Sequence, residues 1–223
     1  MYKIDYRALG NQVYTLVKHM ILVGELEPGQ KLVQDELAER LGVSRTPLLS
    51  ALSKLEKEML VKNVARRGMF VRRFNAEEVA QVYEVRLRLE PYATRQAARA
   101  RNDAAAEEIV QRARDYAALA DQPNPDMREA DYEFHMCIMR ASGNDLVFNI
   151  GSSYNIIAVA NTLGLMKTPE ESAREHTAIA EAILARDEIW AMRHMFHHID
   201  QARRKVLAKV EALTAEATET AER

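Results

Sequence analysis

The sequence predicts a mainly α protein in two parts: a small N-terminal domain of helices closed by a β-hairpin, then an all-α antiparallel bundle of about six helices. Three observations predict it. Apolar residues recur at helical spacing along most of the chain, which is 48% hydrophobic but only 6% aromatic. The period switches once, in "LVKNVARRGMFVRRF", where β-branched and aromatic residues flank a basic "ARRG". The charge divides near the same place: residues 1–75 carry 13 Lys and Arg against 8 Asp and Glu, and the remainder carries 18 against 25. A basic first third joined to an acidic remainder points to a polyanion partner for the first part only.

Other totals set the compartment. Cys137 is the single cysteine and has no internal disulfide partner, so a reducing cytoplasm is expected. No apolar run approaches the roughly 18–20 residues of a membrane span, and "MYKIDYRALG" lacks the apolar stretch of a signal peptide. No membrane partner is expected.

Each element has its own signals. Val13, Leu16, Val17, Met20 and Ile21 share a helix face, and Gly24 stops it. "LEPGQKL" reads as a turn, with Pro28 and Gly29 where turns prefer them. A short helix from about Asp35 to Leu41 ends at Gly42, a C-cap glycine. Ser44 can cap the next helix, and Pro47 falls in its first turn, where a missing N–H costs little. That helix is expected to bury Leu48, Ala51, Leu52, Leu55 and Met59. Helix, helix, tight turn, helix and β-wing is the order of a winged helix-turn-helix, expected over residues 1–75. From Ala76 onward "DQPNPD", "ASGND", "LMKTPE" and "ARD" separate helices near 76–101, 103–120, 125–142, 144–165, 169–186 and 187–212. Pro91 is expected to kink the first of these or force local repair. The bundle domain is expected over 76–212, and the tail 213–223, "TAEATETAER" with the residue before it, has little to bury and is expected to fray.

The helix starting at Ser44 carries chemistry on its open face. Arg45, Leu49 and Ser53 recur at i, i+4, i+8, with Thr46 and Ser50 beside them, opposite the buried stripe. A helix N-terminus offers free N–H groups to phosphate, and Arg45 adds a fork suited to phosphate or the O6/N7 edge of guanine. Arg66 and Arg67 at the wing tip suit a DNA backbone or minor groove. The plainer reading is a capped surface helix with incidental arginines. "ILVGELEPGQKLVQDELAERLGVSRTPLLSALSKLEKEMLV" resembles the DNA-binding domain of the GntR family of bacterial transcription regulators, over about residues 10–73. That resemblance places Arg45, Thr46, Arg66, Arg67 and Gly68 on DNA-contacting positions. One departure stands out: the family's V-R-E-A-L is here Leu48-Leu49-Ser50-Ala51-Leu52, so Leu49 replaces an arginine and can pack on a thymine methyl instead.

A second constellation lies in the bundle. "DYEFH" puts Asp131 and His135 at i, i+4 on a face shared with Phe134 and Ile138. His176 opens a stripe with Ile179, Ala180 and Ile183, and His198 shares one with Ala191, Met195 and Ala202. Buried carboxylates and imidazoles need partners. A divalent metal satisfies all four together; hydrogen bonds to separate core partners satisfy each alone. Arg86, on a stripe with Val79, Val82, Leu89 and Ala93, either grips an effector carboxylate or pairs with Glu90 one turn on.

The pieces "VYEVRLRLEPYATRQAA", "DYEFHMCIMRASGNDLV", "EHTAIAEAILARD" and "MFHHI" resemble the FCD effector domain of the FadR subgroup of GntR regulators, over about residues 78–203. The resemblance implies a metal site at Asp131, His135, His176 and His198. His194 and His197 compete for the last ligand position: His194, one turn from His198 on the same face, can line the effector cavity beside Arg86, while His197 points elsewhere. Three imidazoles and a carboxylate suit Zn²⁺ or Ni²⁺. It implies further a homodimeric regulator, most often a repressor, that binds palindromic DNA half-sites and answers to a small carboxylate effector. Two other functions fit parts of the pattern: a DNA-binding regulator without small-molecule input, and a metal-dependent hydrolase, for which no additional general base is evident beside the ligands.

Overall fold

The structure, a computed structural model, describes residues 6–120, 126–153, 157 and 167–221. Contacts divide the chain at Arg73–Phe74 into two compact units.

The first unit is built from α1 (Tyr6–Leu22), α2 (Gln34–Arg40) and α3 (Arg45–Lys57) with strands β1 (Lys31–Leu32), β2 (Val61–Val64) and β3 (Gly68–Val71). The strands form an antiparallel sheet in the order β1-β3-β2. Strand β1 lies in the stretch read as a turn. Gly29, at φ +88°, makes that turn, its N–H donates to Val71 O at 2.9 Å, and Val71 N–H returns a bond to Gln30 O. A strand of two residues shows no alternation to read in sequence. Val17, Leu48, Leu52 and Leu55 are fully buried between α1 and α3, each worth roughly 1.5–3 kcal/mol of burial.

Two expectations about α3 are corrected. Met59 is not part of its buried stripe: the helix ends at Lys57, and Leu60 N–H turns back to Leu55 O at 2.9 Å. Met59 takes the left-handed turn at φ +64° and is half-buried, while Leu60 occupies the core. Ser44 does sit at the N-cap (φ −74°, ψ 165°), but its side chain makes no capping hydrogen bond.

The second unit contains α4 (Ala76–Arg99), α5 (Asp103–Leu119), α6 (Met127–Ala141), α7 (Asp145–Ser153), α8 (Pro169–Leu184) and α9 (Glu188–Ala221). Capping boxes start α4 (Asn75 with Glu78) and α8 (Thr168 with Glu171). Helix α4 is unbroken through the buried Pro91, and Thr94 Oγ1 donates to the Glu90 carbonyl at 2.7 Å. The helix expected over 144–165 is described to Ser153 and at Ile157; residues 154–156 and 158–166 lie outside the described residues. The last helix runs to Ala221; residues 222–223 are not described.

Helix α4 packs on α9 and α6, and α5 on α6 and α8. Phe134, Ile138, Ile179, Ile183, Met195 and Ile199 fill the centre. The polar residues on these same stripes are thereby drawn inside. Among the described residues no helix is long and apolar enough to cross a membrane.

Candidate metal centre and nucleic-acid interface

Helices α6, α8 and α9 bring Asp131, His135, His176 and His198 together, all buried, with one donor atom from each within 4.8 Å of the others. Asp131 Oδ1 lies 3.7 Å from His135 Nε2 and 3.6 Å from His176 Nε2. Donors held at about 2.1 Å from one ion stand roughly 3–4 Å apart, so a small inward adjustment closes the set. The His176 ring is fully buried, stacked on Phe134 at 4.0 Å and edge-on to Tyr116 at 4.6 Å. Neither of its nitrogens has a hydrogen-bond partner. An unsatisfied buried polar group costs about 1–3 kcal/mol, and a metal ion among these four donors would remove that cost at one of the two nitrogens. The donor set therefore fits a divalent cation.

Two carboxylates stand behind the imidazoles. Glu175 Oε2 is 2.6 Å from His198 Nδ1; an ionised carboxylate only accepts, so Nδ1 carries the proton and Nε2 is left as a lone-pair donor. Glu90 Oε2 lies 2.5 Å from His135 Nδ1, close but not aligned as a hydrogen bond. Burial favours the neutral imidazole, pulling His176 well below the ordinary histidine range and His198 to about 4. Burial works to raise Glu90 and Glu175, but Arg86 and His135 beside the first, and His198 and Lys167 beside the second, hold both near 2. The His176 and His198 rings are thus neutral and Glu90 and Glu175 charged at neutral pH, and neutral imidazoles are what metal ligation needs.

Arg86 makes the plainer contact: its Nε is 2.5 Å from Glu90 Oε1, both side chains buried. A terminal nitrogen also lies 3.5 Å from His135 Nε2, so the guanidinium borders the donor cluster. His194 is half-buried and stacked on Trp190 at 5.4 Å, outside the four-residue cluster. His197 is exposed and contacts Gln201. Sequence reasoning missed Glu175, although it directly precedes His176, and Lys167, which pairs with Glu175. Glu90 was visible only as a partner for Arg86.

In the first unit Ser44, the N-cap of α3, and Arg45, Thr46, Leu49 and Ser50 on the helix are all exposed, Leu49 by 41%. Arg45 Nε is 3.1 Å from Asp35 Oδ1 on α2, a contact between successive helices that the sequence did not reveal. Arg66 (φ +62°) and Gly68 (φ +96°) shape the wing tip, where Arg66 and Arg67 are exposed. The basic surface extends beyond the tip: Lys62, Arg67, Arg72 and Arg73 line a groove of about 320 Å³. Those cations were legible in "VKNVARRGMFVRRF", but their common groove requires the β2–β3 register, Lys62 opposite Phe70.

Comparison with known proteins agrees with both units. Residues 9–71 match the family described as bacterial regulatory proteins, gntR family, and residues 81–201 match the FCD domain. The Nta operon transcriptional regulator of Aminobacter aminovorans is 30% identical over 78% of this chain and 85% of its own. The HTH-type transcriptional repressor GlaR of Escherichia coli is 25% identical over 83% and 90%. The solved structure of E. coli McbR/YncC shares the fold, with a TM-score of 0.77 at 18% identity over 94% of this chain and 100% of that one. The chain belongs to the GntR family of bacterial regulatory proteins and carries an FCD domain: it is a DNA-binding transcription regulator, not an enzyme.

Proposed function

We propose that this regulator is a homodimeric repressor whose operator affinity is set by a small carboxylate effector bound at a divalent metal, Zn²⁺ or Ni²⁺, in the helical unit. Asp131, His135, His176 and His198 would hold the ion. The observation that carries this is His176, a fully buried imidazole with two unpartnered nitrogens among three further donors. The ion would supply an electrophilic centre for carboxylate oxygens. Arg86 would orient the ligand from α4, and His194 would stand near the edge of the site. Residues Ser44, Arg45, Thr46, Leu49 and Ser50 would read the major groove, with Arg66, Arg67 and Gly68 at the adjacent backbone or minor groove. A two-fold dimer would place two such heads on half-sites about 34 Å apart. The E. coli relative GlaR is named as a repressor, which supports the direction of control. The effector changes DNA affinity only as far as it binds the two states of the protein differently.

The test is His176→Ala. Elemental analysis of the purified variant should show lost metal, and gel-shift titration should show retained operator binding that no longer answers to effector. Full metal occupancy in that variant would reject the ligand set.

A further inference from the structure

We infer that the ligand taken at this centre is a monoanion, a chelating monocarboxylate such as a 2-hydroxy acid, and that the buried pair Lys167–Glu175 sets this charge selectivity. The inference rests on the proposed metal-and-carboxylate reading and adds the ligand's charge to it.

Among the described residues, five ionised side chains surround the donor cluster. Arg86 and Lys167 are cations; Glu90, Asp131 and Glu175 are anions. Arg86, Glu90, Asp131 and Lys167 are buried, and the Glu175 side chain is 22% exposed. Ligating imidazoles are neutral, so the protein alone contributes a net charge of −1, and a divalent ion brings the centre to +1. An unbalanced charge in an interior of low effective dielectric is far more costly than in water. One negative charge on the ligand closes the balance. Two leave an excess of one negative charge, because both cations are already counted in the balance, Arg86 beside Glu90 and Lys167 beside Glu175. Among the described residues of this unit the remaining buried charge, Asp200, is paired with Arg203 and Arg204.

Lys167 is the decisive member. Its ammonium meets Glu175, whose same oxygen contacts His198 Nδ1, so one chain of contacts runs from cation to candidate metal ligand. Removing this cation lowers the centre's charge by one; neutralising Glu175 raises it by one; doing both restores the original balance.

The experiment is isothermal titration calorimetry on the full-length, metal-saturated protein with lactate (monoanion), malate (dianion) and lactamide (neutral), with metal content measured for every sample. The unaltered protein should bind lactate at least 10-fold more tightly than malate, with no detectable lactamide binding. Lys167→Met should weaken lactate at least 10-fold, Glu175→Gln should raise the malate-to-lactate affinity ratio at least 10-fold, and the double variant should return the original preference. If one single variant does not fold, the other still decides the ranking. Malate binding tighter than lactate in the unaltered protein overturns the charge assignment while leaving the carboxylate reading standing, as does a ranking that neither substitution moves. Failure of both acids to bind the metal-loaded protein removes the two together.

Discussion

His198 is braced by the residue that precedes another candidate ligand: its Nδ1 donates to Glu175 Oε2 at 2.6 Å, across from α9 to α8. The neighbouring His176 therefore shares a helical turn with the brace for a ring on a different helix. A carboxylate in this place fixes the tautomer and raises the basicity of the opposite nitrogen.

Glu175→Ala should accordingly weaken metal binding by about 10–100-fold without abolishing it. Competition against a chromogenic chelator gives the number. An unchanged affinity would mean that His198 is held by its packing alone.

Arg45→Ala should cost specific operator binding about 1–3 kcal/mol, the scale of one lost bidentate base contact. The melting temperature should barely move, since Arg45 is 61% exposed and an exposed pair such as Arg45–Asp35 contributes little to stability. Fluorescence anisotropy with operator and scrambled duplexes separates specific from non-specific loss. Equal weakening on both duplexes would demote Arg45 to a phosphate contact.

Arg66→Ala and Arg67→Ala should act differently. If each neutralises one phosphate, each should make the plot of log affinity against log salt shallower by about 0.9. Binding isotherms at several salt concentrations measure the slope, and a slope identical to that of the unaltered protein would remove the wing tip from the interface.

The metal-free protein should lose stability in acid earlier than its carboxylates alone dictate. His198 titrates near 4 in the folded state because it is buried, whereas an unfolded imidazole titrates near 6.5. The unfolded chain therefore binds more protons between those values, and stability falls as pH drops from about 6.5 towards 4, by on the order of 2–3 kcal/mol for this group. His176 shifts in the same direction. Glu90 and Glu175, held near 2, add their own loss below about 4.5. Denaturant midpoints at pH 7.5, 5.5 and 4.5 check this; equal midpoints at the first two would contradict neutral buried rings.

Much of this was readable because helical periodicity reports which residues go inside. The stripe of Phe134 and Ile138 carries Asp131 and His135 inward, and the stripe of Ile179 and Ile183 does the same for His176. Periodicity does not report which helix a buried group will face, so Glu175 and Lys167 stayed hidden until α8 and α9 were packed together. Local exceptions were hidden for another reason. Met59 adopts a backbone conformation that favours glycine, and β1 is too short to alternate. Both are set by the sheet and core around them rather than by their own propensities.

His176 would give a metal bound at the proposed site a second use. Without an ion, the folded chain keeps one ring desolvated and unanswered in its interior, and only the native arrangement offers that ring to a cation together with three further donors. If the centre fills as proposed, occupancy and thermal endurance are a single equilibrium viewed from two sides, and a cell short of the metal would hold a protein that is both insensitive to the proposed effector and easier to degrade.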